Sequence, residues 1–234
     1  MVKAVGRMIS GGLVLAVLGT CGAYAQTSGS ESFVEKFDQT LSRRWIVSNG
    51  WSNGGSFDCV FRGANVVQKD NGVAMIRSGS GPTAACGEMS SKQAYRYGTF
   101  EVRLKPAVGS GLQTGFFLYS RGTNQRPAQE INSGVLGRFA ENKPVDLAIV
   151  WTEHQYALYQ DGVLTKQVKA GEAAIPKDAM YVYLSLFSRK EEWIGPLDQS
   201  TLPATTTFER FSYTAWGEPC QYPESIVCRL QLTD

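Results

Sequence analysis

The stretch GFFLYSRGTNQRPAQEINSGVLG, residues 115–137, decides the fold because it holds two extended segments on either side of a polar loop. The first segment, 116–119, is apolar, and the second follows the loop. In a strand, successive side chains point to opposite faces, so Glu130, Asn132 and Gly134 share one face of the second segment. That face presents a carboxylate, an amide and a position without a side chain.

Other segments carry the same strand signal. Residues 97–105 alternate strictly, with Phe100 and Val102 on one face and charged side chains on the other, which predicts a half-buried strand. The pair Asp161-Gly162 lies between β-prone flanks and predicts a hairpin. Further β-rich segments occur at 147–151, 180–187 and 205–213. These patterns predict an all-β fold, an antiparallel β-sandwich.

Residues 1–25 have the features of a secretory signal peptide. Lys3 and Arg7 precede an apolar run, and an Ala-Tyr-Ala cleavage site ends at Ala25. A lipoprotein signal at Cys21 is the weaker alternative, because a bulky threonine precedes this cysteine. The apolar run is shorter than the roughly 20 residues that span a bilayer, so we expect no membrane span. The protein is therefore expected to be secreted or periplasmic.

Cleavage after the signal leaves residues 26–234, a length suited to one domain with a sizeable core. The formal net charge is only +2, and the basic residues are scattered along the chain. This distribution argues against nucleic acid or an acidic membrane surface as a partner and favours an uncharged ligand. We expect a monomer.

The mature chain keeps four cysteines, Cys59, Cys86, Cys220 and Cys228. An even number in an exported chain predicts two disulfides, although four cysteines allow three pairings. Proximity in sequence favours Cys220 with Cys228, which leaves Cys59 with Cys86. A metal centre is disfavoured because no Cys-x-x-Cys occurs and His154 is the single histidine. The same shortage of histidine disfavours serine and cysteine triads.

The segment that contains Glu130 resembles the catalytic strand of family 16 of the glycoside hydrolases, the lichenase and laminarinase family of secreted endo-β-glucanases. That family has Glu-Ile-Asp-Ile-Glu, in which the first Glu is the nucleophile, the Asp orients it and the second Glu is the acid/base. Glu130 matches the nucleophile, Asn132 the orienting Asp, and Gly134 the acid/base, whose carboxylate is lost. Glu88, on a neighbouring strand in the family, is the candidate for a substitute acid.

The resemblance extends over most of the mature chain. The loop 51–59 is similar to the family's early Asn-Gly-Gly loop, which implies that Asn53 contacts a sugar hydroxyl. Residues 95–106 are similar to the family strand Tyr-Gly-x-Phe-Glu-Val-x-x-Lys-Pro. Tyr119 is implied to line the cleft, and Phe187 belongs to a segment in which the family often has a Trp that contacts the glycan. The resemblance implies a β-jelly roll of the concanavalin A type, with a concave sugar-binding sheet.

The resemblance also implies details of the scaffold. The pairing of Cys59 with Cys86 matches a disulfide of lichenase-type members, and Glu88 is implied to contact the glycan. Trp151 and Trp193 are interpreted as core residues. No cofactor is implied, although a structural calcium ion on the convex face, as in some relatives, is left open.

The sequence departs from the family pattern in length as well as in its motif. Between Gly137 and the predicted hairpin the chain is about twenty residues shorter than in the family, a gap comparable to a strand pair. The jelly roll is therefore expected to be shortened, with an open edge. Two functions remain. The first is a retaining, endo-acting hydrolase or transglycosylase of β-glucan or a related neutral polysaccharide, with an impaired or substituted acid/base. The second is a protein that binds such a polysaccharide without cutting it.

Overall fold

The computed structural model describes residues 31–133, 141–190, 194–222, 224–225 and 227–228. The predicted signal peptide lies outside them. None of the helices in these ranges is long and apolar enough to cross a membrane. The strands are β1 (Phe33–Glu35), β2 (Trp45–Val47), β3 (Val60–Phe61), β4 (Val66–Lys69), β5 (Gly72–Arg77), β6 (Ala85–Ser91), β7 (Gly98–Lys105), β8 (Leu112–Ser120), β9 (Gln129–Asn132), β10 (Val145–Trp151), β11 (Gln155–Gln160), β12 (Val163–Lys169), β13 (Tyr181–Ser188) and β14 (Ala204–Ala215). Short 3₁₀ helices lie at Leu41–Arg43, Gly63–Asn65, Gly81–Thr83 and Gln199–Thr201.

The strands form two sheets. The larger sheet has the order β12-β11-β10-β7-β14-β5-β4, with β1 also paired to β14. The smaller sheet has the order β2-β6-β13-β8-β9, with β3 beside β6. The ladders are antiparallel apart from the short parallel pair of β3 and β6. The fold is therefore the predicted antiparallel jelly roll, and it joins strands that are distant in sequence, such as β7 and β14.

The main core lies between the two sheets and is built from their inward-facing apolar side chains. Phe100 and Val102 of β7 are fully buried in it, as the alternation predicts. Trp151 is also fully buried, and its indole Nε1 donates to the carbonyl oxygen of Pro176 over 3.1 Å. The prediction that Trp151 is a core residue is confirmed, whereas Trp193 lies outside the described residues.

The other face of β7 differs from the expectation for a half-buried strand. Glu101 is only 6% exposed, because the C-terminal segment covers this part of the larger sheet. Val227 of that segment packs into a small apolar cluster there, and the Ser225 hydroxyl hydrogen-bonds to Glu101. Burial raises the pKa of Glu101. The prediction of an open charged face is wrong at Glu101, although Arg103 is partly exposed.

The hairpin predicted at Asp161-Gly162 joins β11 to β12. Gln160 pairs with Val163, so the loop has two residues. Asp161 has a φ of 49° and Gly162 a φ of 79°, the two positive values that a type I′ turn requires. The hairpin prediction is confirmed.

The predicted disulfides are both present. Cys59 is bonded to Cys86, with Cα atoms 5.9 Å apart, and Cys220 is bonded to Cys228, with Cα atoms 5.7 Å apart. The first ties the loop before β3 to β6, and the second closes a turn in the C-terminal segment. The pairing chosen among three is confirmed.

Candidate active site

A cleft of about 500 Å³ lies over the smaller sheet, a volume in the range of ligand-binding sites. Strands β6, β13, β8 and β9 supply its floor. The residues predicted from the sequence that line it are Asn53, Glu88, Tyr119, Glu130, Asn132 and Phe187. The structure therefore brings together six positions that are spread over most of the folded chain.

The candidate nucleophile lies on β9, at one edge of the floor. Glu130 is opposite Tyr119 of β8, and Ile131 between the two polar residues points into the core. The Asn132 amide Nδ2 donates to Glu130 Oε1 over 3.0 Å. The amide can thus orient the carboxylate, the task of the Asp in the family motif. The predicted common face is confirmed for Glu130 and Asn132, and Gly134 lies outside the described residues.

Glu88 lies deep in the cleft floor on β6 and is 2% exposed. Its Oε1 accepts a hydrogen bond from the Ser48 hydroxyl over 2.8 Å. Burial raises the pKa of Glu88 from 4.5 to about 7, and the Ser48 hydroxyl opposes part of this rise. Near neutral pH a large fraction of this carboxyl group therefore carries a proton. Ser48 follows β2, on the side of β6 away from β13 and β9.

The strand register separates Glu88 from Glu130. Glu88 is opposite Ser185 on β13, Ser185 is opposite Gly115 on β8, and β9 comes next. Three strand spacings amount to about 14 Å, and Glu130 lies four residues further along, about 13 Å. A retaining glycosidase needs carboxyl groups about 5 Å apart. The expectation that Glu88 lies on a strand next to that of Glu130 is wrong, because β13 and β8 lie between β6 and β9. The substitute-acid role of Glu88 stays a prediction, and this register argues against it.

The cleft also contains residues that the sequence interpretation missed. They are Trp51, Phe57, Gln113, Phe117, Arg121, Tyr183 and Arg189. The Phe117 ring stacks on the Tyr183 ring, with centroids 4.9 Å apart and planes at 8°. Strand alternation was a usable signal for part of this set, since Phe117 and Gln113 share the face of Tyr119 on β8. The missed cleft residue of β13, Tyr183, could be placed beside Phe117 only from the register of β13 against β8.

A buried arginine holds one wall of the cleft in place. Arg77 is 1% exposed, and its Nε donates to the Ser188 hydroxyl over 2.6 Å at the end of β13. Its Nη2 lies 3.7 Å from the carboxylate of Asp58, beside the disulfide-bonded Cys59. Phe57 of the same loop reaches the cleft. The ion pair and the disulfide together fix this loop against the sheet.

Within the ranges that the structure describes, no three His, Cys, Asp or Glu side chains are grouped so that they could hold a metal ion. Calcium also binds to backbone carbonyl oxygens, so this observation concerns only sites made of side chains.

Comparisons with known proteins agree with this architecture. The model of Glycosyl hydrolases family 16 matches residues 53–147. The chain is 30% identical over 231 residues to the Endo-1,3-1,4-beta-glycanase ExoK of Rhizobium meliloti (strain 1021), covering 86% of this chain and 85% of the relative. It is 38% identical over 130 residues to a Beta-glucanase of Bacillus amyloliquefaciens, covering 54% of each chain.

Solved structures show the same fold. The Bacillus licheniformis beta-glucanase superimposes with a TM-score of 0.65 at 25% identity, covering 80% of this chain and 99% of the other. A beta-1,3-1,4-glucanase (lichenase) from a mouse hindgut metagenome gives a TM-score of 0.69 at 23% identity, covering 78% and 98%. With the cleft, the Glu130–Asn132 pair and a relative similar over most of both chains, this chain belongs to family 16 of the glycosyl hydrolases.

Proposed function

We propose that this protein is a secreted, retaining hydrolase of β-glucan whose nucleophile is intact and whose general acid is impaired. The observation that carries the proposal is the position of Glu130 in the cleft, where Asn132 donates a hydrogen bond to one of its carboxylate oxygens. The relatives named beta-glucanase or endo-1,3-1,4-beta-glycanase support β-glucan as the substrate.

The remaining groups can perform half of the usual reaction. In a retaining mechanism one carboxylate attacks the anomeric carbon while an acid protonates the departing oxygen, and water later hydrolyses the glycosyl-enzyme. Glu130 can supply the attack. At Gly134 no side chain can give the proton, and a general acid typically contributes about 10²- to 10⁴-fold. Natural glucan should therefore be cut slowly, because its leaving group departs as an alkoxide.

The cleft suits a neutral polymer. Aromatic faces, including the Phe117–Tyr183 stack, offer apolar surface to sugar rings. Asn53 and Glu88 offer polar groups for hydroxyls. Apolar lining with a few placed polar groups is the usual composition of a small-molecule site.

The test compares an aryl β-glucan oligosaccharide, whose leaving group needs no proton, with natural glucan. The parent should turn over the aryl glycoside and form a β-glycosyl azide when azide is added. Gly134→Glu should raise turnover of natural glucan by about 10²- to 10⁴-fold. Glu130→Ala should abolish both activities. An aryl glycoside that stays intact, with no rescue by Gly134→Glu, contradicts the proposal.

The second candidate is a protein that binds polysaccharide without cutting it. The loss of a carboxylate at Gly134 and the distance of Glu88 from Glu130 favour it, because a retaining site needs two carboxyl groups. Calorimetry separates the two candidates. Glucan binding by a chain that leaves the aryl glycoside untouched supports the binding protein.

A further inference from the structure

We infer that Gln113 is a specificity-determining residue, which accepts a hydrogen bond from a hydroxyl of the bound glycan. Gln113 lies on β8, lines the cleft and is only 4% exposed. Its side-chain Oε1 is buried and has no hydrogen-bond partner among the described residues. A buried acceptor without a donor costs free energy, so such atoms in folded proteins are normally satisfied by protein, water or ligand. The inference rests on the proposed function only in taking the ligand to be a β-glucan.

Gln113 differs from the other buried groups that lack a partner. In the described part of the chain, such side-chain atoms belong to Tyr95, Gln113, Ser120, Ser185 and Arg210. Gln113 alone among these five also lines the cleft. The Ser185 hydroxyl is instead enclosed above Gly115, where a Cβ on the glycine would lie 2.4 Å from it. Gln113 therefore borders the ligand site, whereas the Ser185 hydroxyl is enclosed against Gly115.

The surroundings of Gln113 fit a sugar ring. Phe187 is directly opposite Gln113 on β13 and also lines the cleft. The Phe57 ring packs on Phe187 with centroids 4.8 Å apart. An acceptor beside an aromatic surface matches a pyranose, which has apolar faces and hydroxyl donors around its edge.

The position of Gln113 assigns it to binding rather than to bond cleavage. It precedes Tyr119 by six residues on β8, about 20 Å along the strand. Tyr119 is opposite Glu130, so Gln113 contacts a part of the glycan remote from the attacked bond. Its loss should weaken the binding of long oligosaccharides and leave that of short ones unchanged.

The first test measures glucan binding by calorimetry in a Glu130→Gln background, which removes turnover. Gln113→Met keeps the side-chain length and removes the acceptor. We expect about 10-fold weaker binding of a long β-glucan oligosaccharide, as for one lost hydrogen bond, and unchanged binding of a disaccharide. The Tm should not fall, because the acceptor removed was unpaired.

The matched control is Gln155→Met in the same background. Gln155 is as buried as Gln113, at 5% exposed, and its Oε1 accepts from Gln167 Nε2 over 2.6 Å on the larger sheet. In Gln155→Met the Tm should fall, because a paired acceptor is lost, while glucan affinity should stay unchanged. The two glutamines should thus show opposite patterns of stability and binding.

A series of singly deoxygenated oligosaccharides identifies the hydroxyl. For the protein with Gln113, removal of one particular hydroxyl should lower the affinity by about the same factor as Gln113→Met does. For the Gln113→Met variant, removal of that hydroxyl should not lower the affinity further. This inference alone is overturned if Gln113→Met binds the long oligosaccharide with unchanged affinity. It is also overturned if Gln113→Met lowers the affinity but no single deoxygenated position loses its effect in that variant. Absence of glucan binding at any length overturns the proposed function as well.

Discussion

At the scale of single residues, Glu88 shows how burial changes the behaviour of a carboxyl group. It lies in the cleft floor with one hydroxyl partner, Ser48. Because desolvation disfavours the charged form, burial raises its pKa to about 7. A protonated Glu88 can donate to a sugar oxygen, which an ionised carboxylate cannot do.

The raised pKa predicts a pH dependence of stability. The folded state holds the Glu88 proton more tightly than the unfolded state, so the free energy of unfolding should decrease as pH rises from about 4.5 to about 7. A shift of this size corresponds to a loss on the order of 3 kcal/mol. Glu88→Gln, which cannot ionise, should lack this loss and gain stability relative to the parent at pH 8 but not at pH 4. Urea unfolding at several pH values measures the difference.

An exposed carboxyl group provides the control for this experiment. Glu153 lies in the turn between β10 and β11 and is exposed. Glu153→Gln should give a stability curve parallel to that of the parent. A difference between Glu88→Gln and the parent that is the same at pH 4 and pH 8 would contradict the role assigned to burial.

At the scale of elements, the strand that carries Glu130 is the least supported part of the floor. In the described residues β9 is the last strand of the smaller sheet and pairs with β8 alone. β7, in contrast, pairs with β10 on one side and β14 on the other. Among the described residues, the strand that carries Glu130 is therefore an edge strand.

Hydrogen exchange tests the support of β9. Its amides, 129–132, should exchange faster than those of β7, because an edge ladder opens at a lower free energy than a central one. β12, at the edge of the larger sheet, is the comparison strand and should exchange at rates similar to β9. Protection of β9 as strong as that of β7 would sink the prediction and would indicate a partner on its outer edge.

At the scale of the whole molecule, the two disulfides hold different parts of the fold. The Cys59–Cys86 bond joins the loop that carries Phe57 to β6, two residues before Glu88. The Cys220–Cys228 bond lies in the C-terminal segment that covers the outer face of the larger sheet. One bond therefore supports the cleft and the other supports the opposite side of the molecule.

Removal of each disulfide should separate stability from binding. The bonds close loops with sequence separations of 27 and 8. The loop-entropy relation predicts losses of about 3.5 kcal/mol for Cys59→Ala with Cys86→Ala and about 2.5 kcal/mol for Cys220→Ala with Cys228→Ala. Glucan affinity should fall for the first pair only. Denaturant unfolding and calorimetry measure the two effects, and equal loss of affinity in both pairs would show that the first bond has no special role in the cleft.

Features that depend on local geometry could be predicted from the sequence. Alternation of side chains is a property of any strand, so Glu130 and Asn132 could be assigned to one face, and Asp161-Gly162 could be assigned to a two-residue turn. The cysteine count, the proximity of Cys220 to Cys228 and the family resemblance were enough to predict the two disulfides. The family resemblance also identified the cleft residues that match its motifs.

The relations between distant strands follow only from the folded arrangement of the chain. The register of β6, β13, β8 and β9 separates Glu88 from Glu130, and it arises from packing among segments up to about 100 residues apart, as in the β6–β13 ladder. The burial of Glu101 depends on the C-terminal segment. The Gln113 Oε1 is unpaired because none of the described residues donates a hydrogen bond to it. Local patterns carry no information on these, because hydrogen-bond satisfaction and burial are properties of the assembled core.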